Sequence, residues 1–315
     1  MSTVKNYLSL IKFSHTIFAM PFAMIGFFIG LSRIFKKGWE SGRDVFFSSD
    51  SLANQAITIH HPLNLISKYF VLVILCMVFA RSAAMAFNRY LDRTFDARNP
   101  RTAIREIPSG IIKANSVLLF TIGNCLLFVA CTFFINRLCF YLSPVALVVV
   151  LGYSYTKRFT ALCHLILGLG LSLAPIGAYL AVTGKFALLP VLFSLAVIFW
   201  VSGFDIIYAL QDEEFDKSQK LFSIPASLGK TKALRVSELL HLLSAASVIV
   251  AGTYGHFSWL YWIGVAIFVL MLGYQHSVVK PNDLRRVNLA FMTANGVASV
   301  VFAIFVIADL FVNSK

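Results

Sequence analysis

Long apolar runs separated by short polar stretches dominate the chain, and roughly 20 mostly apolar residues in sequence suffice to cross hydrocarbon as a helix. Nine runs meet that length, at approximately 8–32, 67–91, 114–135, 138–156, 161–183, 187–210, 234–254, 257–277 and 289–312. The pattern predicts an all-α integral membrane bundle of about nine transmembrane helices around a central cavity. Gly168, Gly170, Pro175 and Gly177 fall inside these runs. Bundled membrane helices tolerate such residues, which are expected here to permit close packing. Lys12 and His15 interrupt the first run and no small-residue cleavage pattern follows it, so it is expected to be a retained helix and not a signal peptide.

The longest polar stretches, about 34–65, 92–113 and 211–233, are too short to hold a core of their own, so residues 1–315 are expected to form a single transmembrane domain. With the N-terminus inside, the inner loops carry most of the basic residues, among them Arg93, Arg98, Arg101, Arg105, Lys157, Arg158 and Lys217. The outer side keeps fewer, including Arg43, Lys68, Lys185 and Lys315. This bias obeys the positive-inside rule and places 92–113 and 211–233 on the cytoplasmic face. A hydrophobic fraction of 58%, a mean hydropathy of +0.79 and 13% charged residues exclude an ordinary soluble domain. The net charge of +13 then reads as topology plus attraction to anionic lipid, and nucleic-acid binding is not indicated. The five cysteines form no C-x-x-C pair, and His60 and His61, in the longest outer loop, are not expected to bind metal.

The acidic residues change the picture. Seven of the 14 (Asp92, Asp96, Asp205, Asp212, Glu213, Glu214 and Asp216) sit at the ends of two apolar runs, and none lies between Glu106 and Asp205. Carboxylates at the edge of hydrocarbon are costly unless paired, bound to cations or functional. On a helix, Asn88, Asp92 and Asp96 fall within roughly an 80° arc, while Asp212 and Asp216 lie within about 20° of Asp205 and Tyr208 about 60° away. Glu213 and Glu214 rotate off that stripe and are expected to be solvated.

The repeat of aspartate, three residues, aspartate, four helices apart, suggests two half-bundles meeting at one cavity. Two pairs of carboxylates supply hard oxygen ligands suited to Mg²⁺ that also binds phosphate, so the arrangement resembles a diphosphate clamp. Arg93, Lys157, Arg158 and Lys217 are candidates to neutralise phosphate charge, each with an alternative reading as a topology charge. Arg81, about 10 Å deeper than Asn88 on the same face, either binds a ligand directly or holds an aspartate or a neighbouring helix's carbonyls in place. Phe, Tyr and Trp make up 14% of the chain; their faces can stabilise a carbocation, or they simply pack. A cation transporter also uses intramembrane carboxylates, but is expected to place them near the midplane.

The segments Asn88-Arg-Tyr-Leu-Asp92-Arg-Thr-Phe-Asp96 and Asp205-Ile-Ile-Tyr208-Ala-Leu-Gln-Asp212-Glu-Glu-Phe-Asp216 resemble the two signature motifs of the UbiA-type intramembrane prenyltransferases. Arg81, Tyr153-Ser-Tyr-Thr-Lys157-Arg158 and Ser223-Ile-Pro-Ala-Ser-Leu-Gly229 extend the resemblance over nearly the whole chain. It implies nine helices and transfer of a polyprenyl chain from its diphosphate to an aromatic acceptor on the way to a lipid quinone. The chain looks most like the 4-hydroxybenzoate polyprenyltransferases and the relatives that prenylate a menaquinone precursor; other acceptors, such as a porphyrin, stay open. The resemblance further implies Mg²⁺ held by Asn88, Asp92, Asp96, Asp212 and Asp216, with Asp205 or Tyr208 positioning the acceptor or acting as base. It makes Lys12 a candidate to meet an acceptor carboxylate, and implies a bacterial inner membrane with the site facing the cytoplasm. Many family members have aspartate after the motif asparagine, where this chain has Arg89, which bears on the acceptor.

Overall fold

A computed structural model describes residues 3–12, 18–41, 45–46, 57–58 and 62–312. Its helices are α1 (Thr3–Leu10), α2 (Met20–Ser41), α3 (Pro62–Leu91), α4 (Arg93–Arg98), α5 (Ala114–Ile135), α6 (Arg137–Thr156), α7 (Cys163–Thr183), α8 (Leu188–Ala209), α9 (Glu213–Ser218), α10 (Ile224–Leu228), α11 (Lys230–Tyr254), α12 (Trp259–Val278) and α13 (Asn295–Val312). Two-residue strands β1 (Val45–Phe46) and β2 (Ile57–Thr58), between α2 and α3 in sequence, pair antiparallel. Among the described residues, eight helices are long and apolar enough to cross a membrane, and Met20–Phe35 is a shorter apolar helix packed among them. The protein is an integral membrane protein, and helices are its spanning elements because hydrocarbon offers no partner for unpaired backbone groups. His15, Arg43, His60, His61 and Lys315 lie outside the described residues.

The first predicted span is corrected. Two helices, α1 and α2, stand where one helix over 8–32 was expected, and Lys12 adopts a left-handed conformation with φ 47°, which a continuous right-handed helix cannot contain. Tyr7, Leu10 and Ile11 dock α1 against Ala86, Ile112 and Val117 instead of extending it across the bundle.

Helices adjacent in sequence pack side by side, α2 also packs on α7 and α13, and α8 lies between α7 and α11. The tightest crossings are made by small residues. A Cβ on Gly26 would overlap the Pro175 carbonyl of α7, and a Cβ on Gly168 would lie 2.5 Å from the Ile198 carbonyl of α8. Such approaches replace the missing hydrophobic drive between helices in lipid. Gly170 meets only Val150, at ordinary contact distance, and Gly177 faces open space, so neither serves the close packing expected of it. One core cluster joins Phe22, Phe193, Trp200, Phe268 and Phe302 across α2, α8, α12 and α13, and a second joins Phe27, Val73, Cys139 and Ala178 across α2, α3, α6 and α7.

Candidate active site

Both acidic motifs end at one cavity of about 530 Å³ at the end of the bundle where α3, α6 and α8 terminate. Although α3 stops at Leu91, its backbone bonding continues through the first motif, because Asp92 N donates to Asn88 O and Asp96 N to Asp92 O at 2.9 and 2.8 Å. Asn88, Asp92 and Asp96 therefore share a face, and all three line the cavity. In the second motif, a 3₁₀ turn over Leu210–Asp212 joins α8 to α9, and Asp205, Tyr208, Asp212 and Asp216 line the opposite wall.

Each of the four aspartates spaced in pairs has its own cation. Arg158 Nη2 lies 2.9 Å from Asp92 Oδ1, Arg105 Nη1 2.6 Å from Asp96 Oδ1, and Lys157 Nζ 2.7 Å from Asp216 Oδ1. Arg101 donates through Nε to Asp212 Oδ1 at 3.0 Å, and Asn99 Nδ2 adds a bond to the same oxygen. These pairs cross the site: the adjacent Lys157 and Arg158 bind one motif each, while Arg101, in the loop after the first motif, holds the second. Ser223 caps α10 and also donates to Asp216 Oδ2 at 2.9 Å, which accounts for full burial of that carboxylate.

Burial pushes the Asp92 carboxyl up to about 6, against the opposing pull of Arg158. Burial also works to depress Lys157, but the Asp216 carboxylate outweighs it and raises the ammonium above its usual value. Arg101 is raised likewise, its burial overcome by Asp212. Lys12, also at the cavity wall, is lowered by burial and then by the neighbouring charge of Arg89.

Arg81 lines the deep part of the cavity and makes no ion pair among the described residues; its Nε is buried without a hydrogen-bond partner. Arg89 turns inward, with Nη1 3.9 Å from Asp96 Oδ2. Tyr208 receives a hydrogen bond from Arg101 at 3.1 Å, and its ring lies 4.4 Å from that of Phe291. Phe18 and Phe204 continue this aromatic wall against Phe291. The far wall is apolar, formed by Leu167, Leu171 and Val201.

Two residues expected at the site are not brought there. Arg93 folds back on Tyr90, donating to its carbonyl at 2.6 Å, and Lys217 pairs with Glu213 at 2.6 Å on the side away from the cavity. Glu213, expected to be solvated, is buried at 7% exposure because Lys217 and Lys230 enclose it, whereas Glu214 is exposed. Four contributors were not singled out from the sequence. Arg101 and Arg105 read as topology charges, and their signal was the surplus of arginines directly after a carboxylate motif. Asn99 and His164 carried no signal of their own; His164 is nearly fully buried and its Nδ1 lies 2.7 Å from Asp205 Oδ2.

The five motif oxygen donors suit a hard divalent ion. Asp96 Oδ2 is a buried acceptor without a hydrogen bond, and Mg²⁺ characteristically takes one or two carboxylates while keeping water and phosphate as its other ligands. Among the described residues no three His, Cys, Asp or Glu groups stand together as a complete metal cage.

The family model described as the UbiA prenyltransferase family matches residues 52–297. The chain is similar to the 4-hydroxybenzoate octaprenyltransferase of Francisella tularensis subsp. mediasiatica (strain FSC147), 29% identical over 239 residues that cover 76% of this chain and 84% of the relative. It is 30% identical to the enzyme of the same name from Cupriavidus pinatubonensis, over 74% of this chain and 83% of the relative. Among solved structures, a UbiA homolog from Aeropyrum pernix K1 superposes with a TM-score of 0.72 at 26% identity, covering 96% of this chain and 98% of that one. A UbiA homolog from Archaeoglobus fulgidus, solved bound to GPP and Mg²⁺, shares the fold at a TM-score of 0.68 and 19% identity, covering 98% of this chain and all of the other. The match over most of the length, on a membrane bundle with both acidic motifs at one cavity, makes this chain a member of the UbiA prenyltransferase family.

Proposed function

We propose that the protein transfers a polyprenyl group from its diphosphate to an aromatic quinone precursor of the 4-hydroxybenzoate type. The observation that carries this reading is the cavity itself, where four carboxylates matched by four cations stand beside an apolar and aromatic wall. Such a site fits a ligand with a diphosphate head and a hydrocarbon tail. Relatives named 4-hydroxybenzoate octaprenyltransferase and a neighbour solved with GPP and Mg²⁺ support it.

Asn88, Asp92 and Asp96 on one side, and Asp212 and Asp216 on the other, would hold Mg²⁺. Bound there, the ion would supply charge stabilisation to the leaving diphosphate. Arg101, Arg105, Lys157 and Arg158 already stand at these carboxylates and concentrate positive charge where the leaving group's charge develops. The apolar wall would keep water from the allylic carbon while its C–O bond breaks, and Phe18, Phe204 and Phe291 line the cavity in which the resulting cation would form. The acceptor ring attacks that carbon and loses a proton. Arg81, which pairs with no carboxylate among the described residues, and Lys12 both line the cavity and would receive an anionic group on the acceptor. The excess of basic residues in the loops at this end of the bundle supports a site facing the cytoplasm, in a bacterial inner membrane.

Washed membranes containing the protein, given labelled polyprenyl diphosphate, Mg²⁺ and 4-hydroxybenzoate, should yield a prenylated aromatic product. Asp92→Ala and Asp212→Ala should abolish it while the protein remains inserted. Product from either variant at the wild-type rate would remove the carboxylates from the reaction, and no product from wild type with any aromatic acceptor would leave ion transport as the function of the motifs.

A further inference from the structure

Asp205 differs from the other motif aspartates in having no arginine or lysine paired with it among the described residues. Its partner is His164, on the first turn of α7, with Nδ1 2.7 Å from Asp205 Oδ2. The other ring nitrogen, Nε2, receives the backbone N–H of Ile224 at 3.3 Å. That second contact makes Nε2 the accepting nitrogen. A nitrogen that accepts an N–H must present a lone pair, so the ring proton sits on Nδ1 and is donated to Asp205. Protonating Nε2 as well would set an N–H against the N–H of Ile224.

The histidine is held in this pose from three directions. Ser202 Oγ donates to the His164 carbonyl at 3.1 Å, and Gly168, one turn further along α7, lets the backbones of α7 and α8 approach. Ile224 follows Ser223, the residue that donates to Asp216, so one dipeptide ties two of the three aspartates on the second motif wall, Asp216 directly and Asp205 through His164. Asp205 Oδ1 makes no hydrogen bond among the described residues, and the side chain, 25% exposed, opens on the cavity. Tyr208 is differently engaged, its oxygen bonded to Arg101 and its ring set against Phe291.

We infer that His164 is a positioning residue that turns the free oxygen of Asp205 towards the acceptor ring, so that Asp205 takes the ring proton and Tyr208 forms the wall. The inference rests on the prenyltransferase reading of the site. When the ring carbon bonds to the prenyl carbon, it carries both the prenyl group and its former hydrogen. Asp205 Oδ1 takes that hydrogen as a proton, the C–H electron pair returns to the ring, and the diphosphate leaves with the electrons of the broken C–O bond. Asp205 then gives its proton to water in the cavity. His164 never takes the proton, because its one lone pair is occupied by Ile224.

Two amides separate this role from tethering of the loop. His164→Asn places an N–H donor near the position of Nδ1 and keeps the bond to Asp205; His164→Gln reaches the position of Nε2 and keeps the bond to Ile224. Each variant is assayed for kcat, for the KM of polyprenyl diphosphate, and for the kinetic isotope effect with ring-deuterated acceptor. The expected result is that His164→Asn stays near wild type. His164→Gln should lose at least about ten-fold in kcat, with donor KM unchanged and a larger isotope effect as proton removal becomes slow. Adding His164→Gln to Asp205→Asn should cost nothing more. An active Gln variant beside an impaired Asn variant, an unchanged isotope effect, or a loss confined to donor KM would overturn the positioning role while leaving the prenyltransferase reading intact. Absence of product from the wild type would overturn both.

Discussion

Arg101 Nε donates to Asp212 Oδ1 at 3.0 Å although 111 residues separate the two in sequence, so the loop after the first acidic motif neutralises the second motif. The same guanidinium reaches the Tyr208 hydroxyl at 3.1 Å, giving one side chain two fixed partners. Lysine would retain the charge and lose this forked geometry. Arg101→Lys is expected to cost about 1.5–3 kcal/mol of transition-state stabilisation, roughly 10- to 150-fold in kcat/KM, measured in washed membranes.

Chelation should stop catalysis without unfolding the protein. Asp92, Asp96, Asp212 and Asp216 each have a cation within hydrogen-bonding range, so the metal-free site does not leave four bare carboxylates at the membrane edge. With EDTA, transfer should fall to background and return on adding Mg²⁺, while the melting temperature in detergent drops only by the contribution of lost metal binding. A collapse of helical signal on chelation would contradict this.

Two glycines in the bundle should respond oppositely to alanine. Gly26→Ala drives a methyl group into the Pro175 carbonyl and is expected to destabilise by about 1–3 kcal/mol or more. Gly177→Ala has open space around its Cβ, and should be neutral or slightly stabilising through helix propensity. Thermal unfolding of both variants in the same detergent makes the comparison.

Lys217 and Glu213 form a pair turned away from the cavity, with Lys217 half exposed and Glu213 buried. Lys217→Ala should keep wild-type activity and lose little stability, because an exposed partner is screened and Lys230 still stands 4.0 Å from Glu213. Glu213→Ala should lower the melting temperature more, by leaving two lysines together, again with little change in kcat. A large rise in donor KM for Lys217→Ala would place that lysine on the substrate.

The bundle and the acidic motifs were legible because both are local. Residues from Ala114 to Ile135 or from Leu188 to Ala209 can only bury their backbone groups in lipid as helices, and i to i+4 spacing puts Asn88, Asp92 and Asp96 on one face wherever the chain goes next. The first span failed for a reason its hydropathy does not hold: Lys12 takes a left-handed conformation as α1 docks on α3, so an apolar run long enough for one helix becomes two. Gly170 and Gly177 looked like Gly168, yet of the three only Gly168 is pressed closer than ordinary contact against a neighbouring backbone, since what faces a helix position is set by the partner helix.

By itself the sequence determined the membrane class, the helical architecture, the family motifs and the concentration of carboxylates at two helix ends, all consequences of composition and short-range periodicity. Only the tertiary structure decided the pairing: Arg158 with Asp92, Arg105 with Asp96, Arg101 with Asp212, Lys157 with Asp216, and His164 with Asp205. Of these, only Arg105 and Asp96 lie within ten residues of each other. A charged side chain in a loop has the same sequence signature whether it meets lipid headgroups or a carboxylate 111 residues away, and which it meets depends on how the packed helices bring their ends together.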